Sequence, residues 1–267
     1  MALPSYSLAV VAAVNDDKVL RDNLANSPML RDGRVPLIVE HGYQSASKAY
    51  NAALDSVAAD IVIFAHQDVY LPQGWDEKLL LTIQALEANT SNWAVLGVIG
   101  LDQNGHFVGR VWSTGLGCEI KGAFSGPTAI GAIDEMVIVL RRAAGLRFDE
   151  ELPGYHLYGT DIVQTALQKD LGAYVFDGPV IHNSLPAQLS DGSYATAYRY
   201  MRRKWKPKMP IWTTVVPVTR WGWPLLRATI RGWVYRRRKY MIKRAPARQQ
   251  YARLERPSRK AQDLGYE

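Results

Sequence analysis

Four runs of apolar residues, each about as long as one β-strand, alternate with amphipathic segments in the first part of the chain. The runs are SLAVVAAV at 7–14, VPLIVE at 35–40, DIVIFA at 60–65 and WAVLGVIG at 93–100. A strand that is apolar along its whole length is typical of a parallel sheet, because the helices that connect parallel strands cover both of its faces. The sequence therefore predicts an α/β domain with a mostly parallel central sheet flanked by helices.

The helices, loops and further strands are predicted from the spacing of apolar residues and from residues that cap or interrupt such elements. Helices are predicted at four places: after Asp16 or Asp17, over 45–59 with Ser45 or Ser47 as N-cap, over 75–88 and over 159–172. Residues 101–127 are rich in glycine and contain only short apolar pieces, which predicts hairpins and loops. Two further strands are expected at 133–142 and 173–177.

Polar side chains follow three of the predicted strands at the point where each strand ends. Asn15 follows the first strand, Glu40 ends the second, and His66, Gln67 and Asp68 follow the third. Ligands of open α/β sheets bind beyond the carboxyl ends of the strands. We therefore expect these five side chains to lie around one site.

Asp68, His66 and His182 are candidate ligands for a divalent metal ion. Carboxylate and imidazole together suit Mn²⁺, and carboxylate with phosphate suits Mg²⁺. His182 is more than a hundred residues away from Asp68, and a lone histidine is more often a hydrogen-bonded residue of a turn. The residues by themselves leave the two interpretations open.

Asp161 stands at the start of the predicted helix over 159–172. A carboxylate in this place commonly caps its own helix. The alternative is a general base, which needs reach to a hydroxyl group and a charge that is not neutralised by the cap. The sequence does not decide between them.

Charge is divided unevenly along the chain. Residues 199–267 contain 20 Lys and Arg against 3 Asp and Glu, a net charge of +17, whereas residues 1–198 contain 12 basic and 22 acidic residues, a net charge of −10. This asymmetry predicts a globular domain over 1–193 and a basic, tryptophan-rich extension over 194–267 that binds an anionic partner.

The composition also indicates a compartment. Cys118 is the only cysteine, which excludes an internal disulfide and fits a reducing environment. The first residues lack the basic segment of a secretory signal, and no run reaches the roughly 18–20 apolar residues that cross a bilayer. We expect a cytoplasmic protein.

Several pieces of the chain together resemble a known family. They are AYNAAL, DIVIFAHQDVYLPQGW, LGVIG, FDEEL, YHLYGTDI and the late His182, with HQDVYLPQGW the most specific. Over residues 6–185 the chain resembles the GT-A-fold glycosyltransferases of the family 2-like group, especially the branch typified by the streptomycin-biosynthesis glycosyltransferase-like domain. The resemblance implies a Rossmann-like GT-A sheet and transfer of a sugar from a nucleotide-sugar donor to a hydroxyl acceptor. It also implies inversion and assistance by Mn or Mg.

The resemblance implies roles for matching residues. His66 and Asp68 occupy the outer positions of the metal-binding DxD motif, so Asp68 is the better ligand, and His182 matches a third contact to metal or diphosphate. Asp161 matches the base of a Glu-Asp motif whose first position is Thr160 here. Contacts to the donor, with Glu40 facing the nucleoside, are expected from Asn15, Glu40, Asn51, His66, Gln67 and Asp68.

Other functions remain open. The departures at His66 and Thr160 are compatible with a catalytically impaired protein that still binds a sugar nucleotide. A GT-A-like nucleotidyltransferase would usually carry a glycine-rich basic loop after its first strand, and AAVNDDKVL has no glycine. A nucleic-acid-binding protein could use the basic extension, but the acidic body disfavours it.

The extension itself has a membrane-binding pattern. Five of the eight tryptophans lie in it, namely Trp205, Trp212, Trp221, Trp223 and Trp233. If 221–244 is helical, one face carries Trp223, Leu226, Ile230 and Trp233, and another carries Arg227, Arg231 and Arg238. Such a helix lies in the interface of an anionic membrane, which predicts a peripheral protein on the inner face of the cytoplasmic membrane. A lipid-linked or cell-surface glycan acceptor would suit that location. The alternative is that these tryptophans pack on the catalytic domain.

Overall fold

A seven-stranded mixed β-sheet forms the centre of the molecule. The computed structural model describes residues 6–124, 126–185, 192–230 and 252–267. In sheet order the strands are β2 (Leu37–His41), β1 (Leu8–Val14), β3 (Ile61–Ala65), β11 (Val137–Arg141), β5 (Trp93–Gly97), β12 (Gly172–Val175) and β9 (Thr128–Ala129). Five of these strands run in one direction, and β11 and β9 run in the opposite one. The predicted mostly parallel sheet is therefore confirmed.

Shorter strands form a second sheet. In order they are β10 (Ala132–Ile133), β6 (Ile99–Leu101), β7 (Phe107–Ser113), β13 (Val180–His182) and β4 (Val69–Tyr70), with β8 (Cys118–Lys121) paired to β7. The antiparallel pairing of β6, β7 and β8 confirms the predicted hairpins. The single strand predicted over 93–100 is divided instead, because the chain leaves the first sheet after β5 and enters the second at β6. Gly109 permits the close approach at this break, since a Cβ there would lie 2.2 Å from the carbonyl oxygen of Val98.

Helices connect the strands at the predicted places. In the described residues they are α1 (Asp17–Asp22), α2 (Pro28–Arg31), α3 (Ala46–Ser56), α4 (Trp75–Glu87), α5 (Tyr158–Gln168), α6 (Ser193–Lys204), α7 (residues 223–230) and α8 (Pro257–Asp263). Short 3₁₀ turns occupy Leu24–Asn26, Arg142–Ala144 and Lys206–Lys208. Asp16 and Ser45 cap α1 and α3 through their side chains, as their residue types predict. None of the described helices is long and apolar enough to cross a bilayer.

Alternate residues of each central strand pack on opposite faces of the first sheet. Val62 and Phe64 of β3 lie in one apolar cluster with residues of α3, α5 and α6. Ile61 and Ile63 lie in a second cluster with residues of α1 and α4. Because a strand's side chains alternate between faces, a fully apolar strand requires cover on both. The result is a three-layer α/β arrangement, which confirms the predicted fold class.

Parts of the basic extension pack against this body. The apolar face of α6 joins the cluster of α3 and α5 through Tyr198, Met201 and Trp205. Near the other end of the chain, Ala261 and Tyr266 pack with Tyr70 and Ile181 of the second sheet. The apolar cluster of α3, α5 and α6 contains residues on both sides of the boundary predicted between residues 193 and 194. The division into two domains therefore stays a prediction.

Candidate functional site

A pocket of about 710 Å³ opens where β1, β2 and β3 end. Its lining consists of Ala13, Val14, Asn15, His41, Gly42, Tyr43, Tyr50, His66, Gln67, Asp68 and Tyr155. The expectation that residues following these strands share one site therefore holds for Asn15, His66, Gln67 and Asp68. This is the edge at which open α/β sheets bind their ligands.

The chain crosses from one sheet to the other at residues 66–68. β3 ends at Ala65 in the first sheet, and β4 begins at Val69 in the second. In the second sheet His182 pairs with Val69, and the backbone N–H of Asn183 donates to the carbonyl oxygen of Asp68 over 2.8 Å. This antiparallel pairing brings His182 beside Asp68 although the two are far apart in sequence.

His66, Asp68 and His182 form a compact cluster. Each offers one ligand atom, and these three atoms lie within 4.8 Å of one another. His182 Nε2 is 3.4 Å from Asp68 Oδ1, and the two imidazole rings are 5.9 Å apart between centroids. The described residues thus bring together all three metal ligands considered from the sequence.

Tyr158 orients the ring of His66. His66 Nε2 lies 2.8 Å from the Tyr158 hydroxyl, which itself donates to the carbonyl oxygen of Glu135 over 3.2 Å. This contact holds the Nε2 side of the imidazole and so fixes the orientation of the ring. A hydrogen-bond partner that orients the ring is typical of metal-binding histidines.

The charges of the cluster support one another. Burial tends to raise the pKa of Asp68, but the charge and hydrogen bond of His182 and the charges of His66 and Arg253 hold that pKa well below its usual range. Burial tends to lower the pKa of His182, but Asp68 raises it overall. Burial lowers the pKa of His66. The carboxylate is therefore ionised at neutral pH, and a metal ion that binds here displaces the proton that Asp68 favours on His182.

The donor set fits a transition-metal ion. Two imidazoles and one carboxylate suit Mn²⁺ better than Mg²⁺, which prefers oxygen ligands in a strict octahedron. The compact spacing of the ligand atoms and the fixed orientation of the His66 ring agree with such an ion.

Asn15 and Gln67 connect the ends of two strands. The Gln67 side-chain oxygen accepts from the backbone N–H groups of Asn15 and Asp16 over 3.0 and 3.1 Å, and its amide donates to Asn15 Oδ1 over 2.6 Å. Both side chains line the pocket. Glu40, half-buried in β2, is not among the residues that line the pocket, but its charge raises the pKa of Tyr43, which does line it.

Asn51 and Asp161 lie outside the pocket lining. Asn51 is buried and hydrogen-bonded to the Phe148–Glu150 segment. The carboxylate of Asp161 is buried, with Lys204 Nζ and Trp205 Nε1 each 2.7 Å from one oxygen. Burial raises the pKa of Asp161 despite these two donors. The base role of Asp161 stays a prediction, and this placement speaks against it; nor does Asp161 cap α5 through its side chain.

Two pairs of site residues were not predicted. Tyr43 and Tyr155 line the pocket, and the Tyr155 hydroxyl donates to the carbonyl oxygen of Tyr43 over 2.9 Å. Asp134 and Glu135 precede β11, and the backbone N–H of His66 donates to the carbonyl oxygen of the next residue, Met136, over 3.0 Å. Burial and the charge of Asp134 raise the pKa of Glu135 to about 8. Polar residues before an antiparallel strand would have been the signal for this second pair.

Comparison with known proteins gives limited similarity. No protein-family model matches the sequence. One curated relative, "ATP synthase subunits region ORF 6" of Fuscovulum blasticum, is 27% identical over 159 residues, which cover 56% of this chain and 61% of the relative. The chain thus spans less than two thirds of that relative's length.

Three solved structures illustrate the structural similarity. S. aureus TarS 1–349 in complex with UDP-GlcNAc is 14% identical, with a TM-score of 0.49 over 74% of this chain and 65% of that one. The mannosyltransferase PcManGT from Pyrobaculum calidifontis, in complex with GDP-Man and Mn²⁺, is 12% identical, with a TM-score of 0.45 over 76% and 63%. The inositol-1-phosphate CTP transferase from T. maritima is 13% identical, with a TM-score of 0.39 over 75% and 98%.

Proposed function

We propose that this protein is a metal-assisted glycosyltransferase that uses a nucleotide-sugar donor. The observation that carries the proposal is the cluster of His66, Asp68 and His182 at the pocket beyond the strand ends. A cation site beside a pocket of this size suits a ligand that combines a diphosphate with an organic group on each side. The sequence resemblance to GT-A-fold enzymes points to the same donor class.

The nucleoside and the diphosphate occupy different parts of the pocket in this proposal. Asn15, Glu40 and Tyr43 surround the ends of β1 and β2 and receive the nucleoside, with the ring of Tyr43 or Tyr155 available for stacking on the base. Asp68, His182 and His66 hold the metal. When bound, the metal stabilises negative charge that develops on the leaving diphosphate.

The acceptor is a hydroxyl group, and transfer inverts the sugar. In-line attack requires a base on the acceptor side, and the sequence resemblance assigns this to Asp161. Lys204 and Trp205 already donate hydrogen bonds to the two carboxylate oxygens of Asp161. Glu135 is therefore the alternative base to test. Glu135 does not line the pocket either, but its backbone carbonyl accepts from Tyr158, which contacts His66, and a carboxyl pKa raised to about 8 is typical of a functional group.

The extension binds an anionic membrane surface in this proposal. Exposed apolar side chains, which we call the tryptophan surface, are Trp212, Val215, Trp221, Trp223, Leu226 and Ile230. Next to it, a pocket of about 350 Å³ is lined by Arg199, Arg202, Arg203, Lys206, Met209 and Arg220. Within this pocket Arg202 Nη2 donates to the carbonyl oxygen of Arg220 over 2.6 Å, and Arg220 directly precedes Trp221 of the tryptophan surface. In the part of the chain that the structure describes, none of these five basic residues forms an ion pair.

The other tryptophans and arginines predicted for the membrane-binding face differ from the tryptophan surface. Trp205 is buried against Asp161, so the alternative of packing on the body holds for this tryptophan. Arg231, Trp233 and Arg238 lie outside the described residues. The membrane proposal therefore rests on residues 199–230. Two further proposals depend on it, namely a lipid-linked or cell-surface glycan as the acceptor and a location on the inner face of the cytoplasmic membrane.

A thermal-shift panel tests the enzyme proposal. The full-length protein is heated with UDP, GDP, CDP and dTDP, each with and without Mn²⁺. One nucleotide should raise the melting temperature in the presence of Mn²⁺, because a ligand that binds only the folded state stabilises it. Asp68→Asn should abolish this shift, whereas Asp32→Asn, an exposed carboxylate away from the pocket, should not.

The panel also separates the alternatives. Mn²⁺-dependent binding of a nucleotide without turnover of its sugar conjugate would identify the catalytically impaired protein. Turnover of a nucleoside triphosphate with a sugar phosphate would identify a nucleotidyltransferase. No shift with any diphosphate would contradict the proposal.

A further inference from the structure

The last described segment of the chain, residues 252–267, returns to the second sheet beside the metal cluster. Tyr266 is buried, and its hydroxyl donates to Glu119 Oε1 over 2.7 Å. Lys78 Nζ donates to the carbonyl oxygen of Tyr266 over 2.9 Å, and Lys260 Nζ lies 3.8 Å from the ring centroid of Trp112. Contacts of three different kinds, from α4, β7 and β8, thus hold this segment in one place.

Asn183 connects this segment to the site. It directly follows His182, and it exchanges two hydrogen bonds with the backbone of Leu254. The N–H of Leu254 donates to Asn183 Oδ1 over 2.7 Å, and Asn183 Nδ2 donates to the Leu254 carbonyl oxygen over 2.9 Å. Asn183 is 1% exposed, so both bonds are shielded from water. The backbone on either side of Leu254 therefore has a fixed position relative to His182.

This arrangement places Arg253 beside the carboxylate of Asp68. Its Nη1 donates to the carbonyl oxygen of Asn183 over 3.0 Å and lies 3.4 Å from Asp68 Oδ2. His182 faces the other oxygen, Oδ1, of the same carboxylate. The guanidinium and the candidate metal ligands thus approach Asp68 from different sides, so Asp68 Oδ1 stays available to a metal ion while Arg253 keeps its place.

We propose that Arg253 is a diphosphate-binding residue of the donor site, supplied by the C-terminal segment. The proposal rests on the nucleotide-sugar function proposed above. A diphosphate carries more negative charge than one divalent cation beside a carboxylate offsets, so a second cation at the same place stabilises it. A guanidinium is suited to this because its planar set of N–H donors matches two phosphate oxygens at once.

A purely structural role makes a different prediction. If Arg253 only neutralises Asp68 or fixes the segment, its removal changes the stability or the Kd of Mn²⁺, and any loss of diphosphate binding accompanies a loss of Mn²⁺ binding. The comparison of a nucleoside diphosphate with its own nucleoside, together with the titration of Mn²⁺ by itself, therefore isolates the proposed contact.

The test is calorimetric titration of full-length variants with UDP, uridine, GDP and guanosine in the presence of Mn²⁺, and with Mn²⁺ by itself. Arg253→Gln should raise the Kd of the diphosphate that the wild type binds by about 10- to 100-fold, the usual effect of losing charge-assisted hydrogen bonds. The Kd of the nucleoside should stay within about twofold, and the Kd of Mn²⁺ should stay unchanged or fall, because the guanidinium next to Asp68 repels a cation. Arg259→Gln, an exposed arginine of α8, is the matched control and should behave as the wild type.

A second variant tests the segment without touching Arg253. Tyr266→Ala removes the buried ring and its bond to Glu119, so it should weaken diphosphate binding in the same direction. Unchanged diphosphate binding by Arg253→Gln, or an equal loss for diphosphate and nucleoside, would overturn the proposal and leave the enzyme function standing. A wild-type protein that binds none of UDP, GDP, CDP and dTDP would overturn both.

Discussion

Asn51 and Phe148 exchange two hydrogen bonds across almost a hundred residues of sequence. The side-chain amide of Asn51 donates to the carbonyl oxygen of Phe148 over 2.9 Å, and the N–H of Phe148 donates to Asn51 Oδ1 over 3.0 Å. The same amide nitrogen reaches Glu150 Oε1 over 2.9 Å. Asn51 therefore ties α3 to the segment that leads into α5, and this accounts for its presence in the AYNAAL motif without a direct contact to the pocket.

Asn51→Ala should lower the free energy of unfolding by about 2–4 kcal/mol, because it leaves a buried N–H and a buried carbonyl of Phe148 without partners. Urea unfolding followed by circular dichroism measures this change. Asn89→Ala, an exposed asparagine that bonds only to its own helix turn, should cost less than about 1 kcal/mol. Equal effects of the two substitutions would contradict this interpretation.

Asp161 gives the second prediction, because its two interpretations differ in what a substitution changes. A carboxylate that binds Lys204 and Trp205 in the interior contributes to stability, so Asp161→Asn should lower the free energy of unfolding by about 1–3 kcal/mol. The loss is smaller than for a fully buried ion pair, because Lys204 still pairs with Asp149 at 2.7 Å. Lys204→Met should cost a similar amount. Both are measured by urea unfolding alongside turnover.

A general base behaves differently in the same experiment. If Asp161 is the base, Asp161→Asn lowers turnover by about 10²–10⁴-fold while donor binding is retained, and Lys204→Met leaves most of the turnover. Parallel losses of stability in both variants with little change in turnover per folded molecule would confirm the structural role.

Much of the fold could be predicted because it depends on local patterns. Apolar runs of strand length, capping residues such as Asp16 and Ser45, and glycine-rich turns all act over a few residues. The polar residues after β1 and β3 were expected at one edge for the same reason. What the pattern could not show was the direction of β11, since an apolar strand reads the same whether it runs parallel or antiparallel.

The direction of β11 explains a missed part of the site. Because β11 runs antiparallel to β3, its N-terminal end lies at the edge where β3 ends, so Asp134 and Glu135 arrive beside His66 from before their strand. Arg253 was missed for a different reason. Its contact with Asp68 depends on the pairing of Asn183 with Leu254, across more than seventy residues, and no sequence period reports such a contact.

Glu135 gives a pH-dependent prediction. Its pKa is raised from 4.5 to about 8 by burial and by Asp134. A raised pKa means that the folded protein binds this proton more tightly than the unfolded chain. The contribution to stability is therefore full below about pH 4.5 and is lost as the pH rises through about 8.

Glu135→Gln removes this dependence. Between pH 5 and pH 8 the free energy of unfolding of the wild type should fall relative to that of the variant by about 1.4 kcal/mol per pH unit. Chemical denaturation at several pH values measures it, with the exposed Glu151→Gln as the control. Parallel pH profiles for wild type and Glu135→Gln would show that the pKa of Glu135 is not raised.

Membrane docking gives the last prediction, and the packing of α6 decides how it must be tested. Removing residues 199–267 would delete Met201 and Trp205 from the apolar cluster and leave Asp161 without partners, so a loss of binding by a truncated chain would be ambiguous.

Point variants of the full chain avoid this ambiguity. In one, Trp221→Ser and Trp223→Ser change the two tryptophans that are most exposed in the described residues, at 77% and 61%. In the other, Arg203→Gln and Lys206→Gln change the basic pocket, where each charge near an anionic surface contributes about 1 kcal/mol. In co-sedimentation with phosphatidylglycerol vesicles at low salt, the affinity of each double variant should be lower than that of the wild type by about tenfold or more.

The wild type should bind phosphatidylcholine vesicles weakly, and 0.5 M salt should remove most of the binding to anionic vesicles, because screening shortens the reach of exposed charges. Leu81→Ser, an apolar side chain that is 53% exposed on α4, is the matched control for a general loss of surface hydrophobicity. Wild-type binding that is equal on both kinds of vesicle, or binding that both double variants retain, would contradict the membrane proposal.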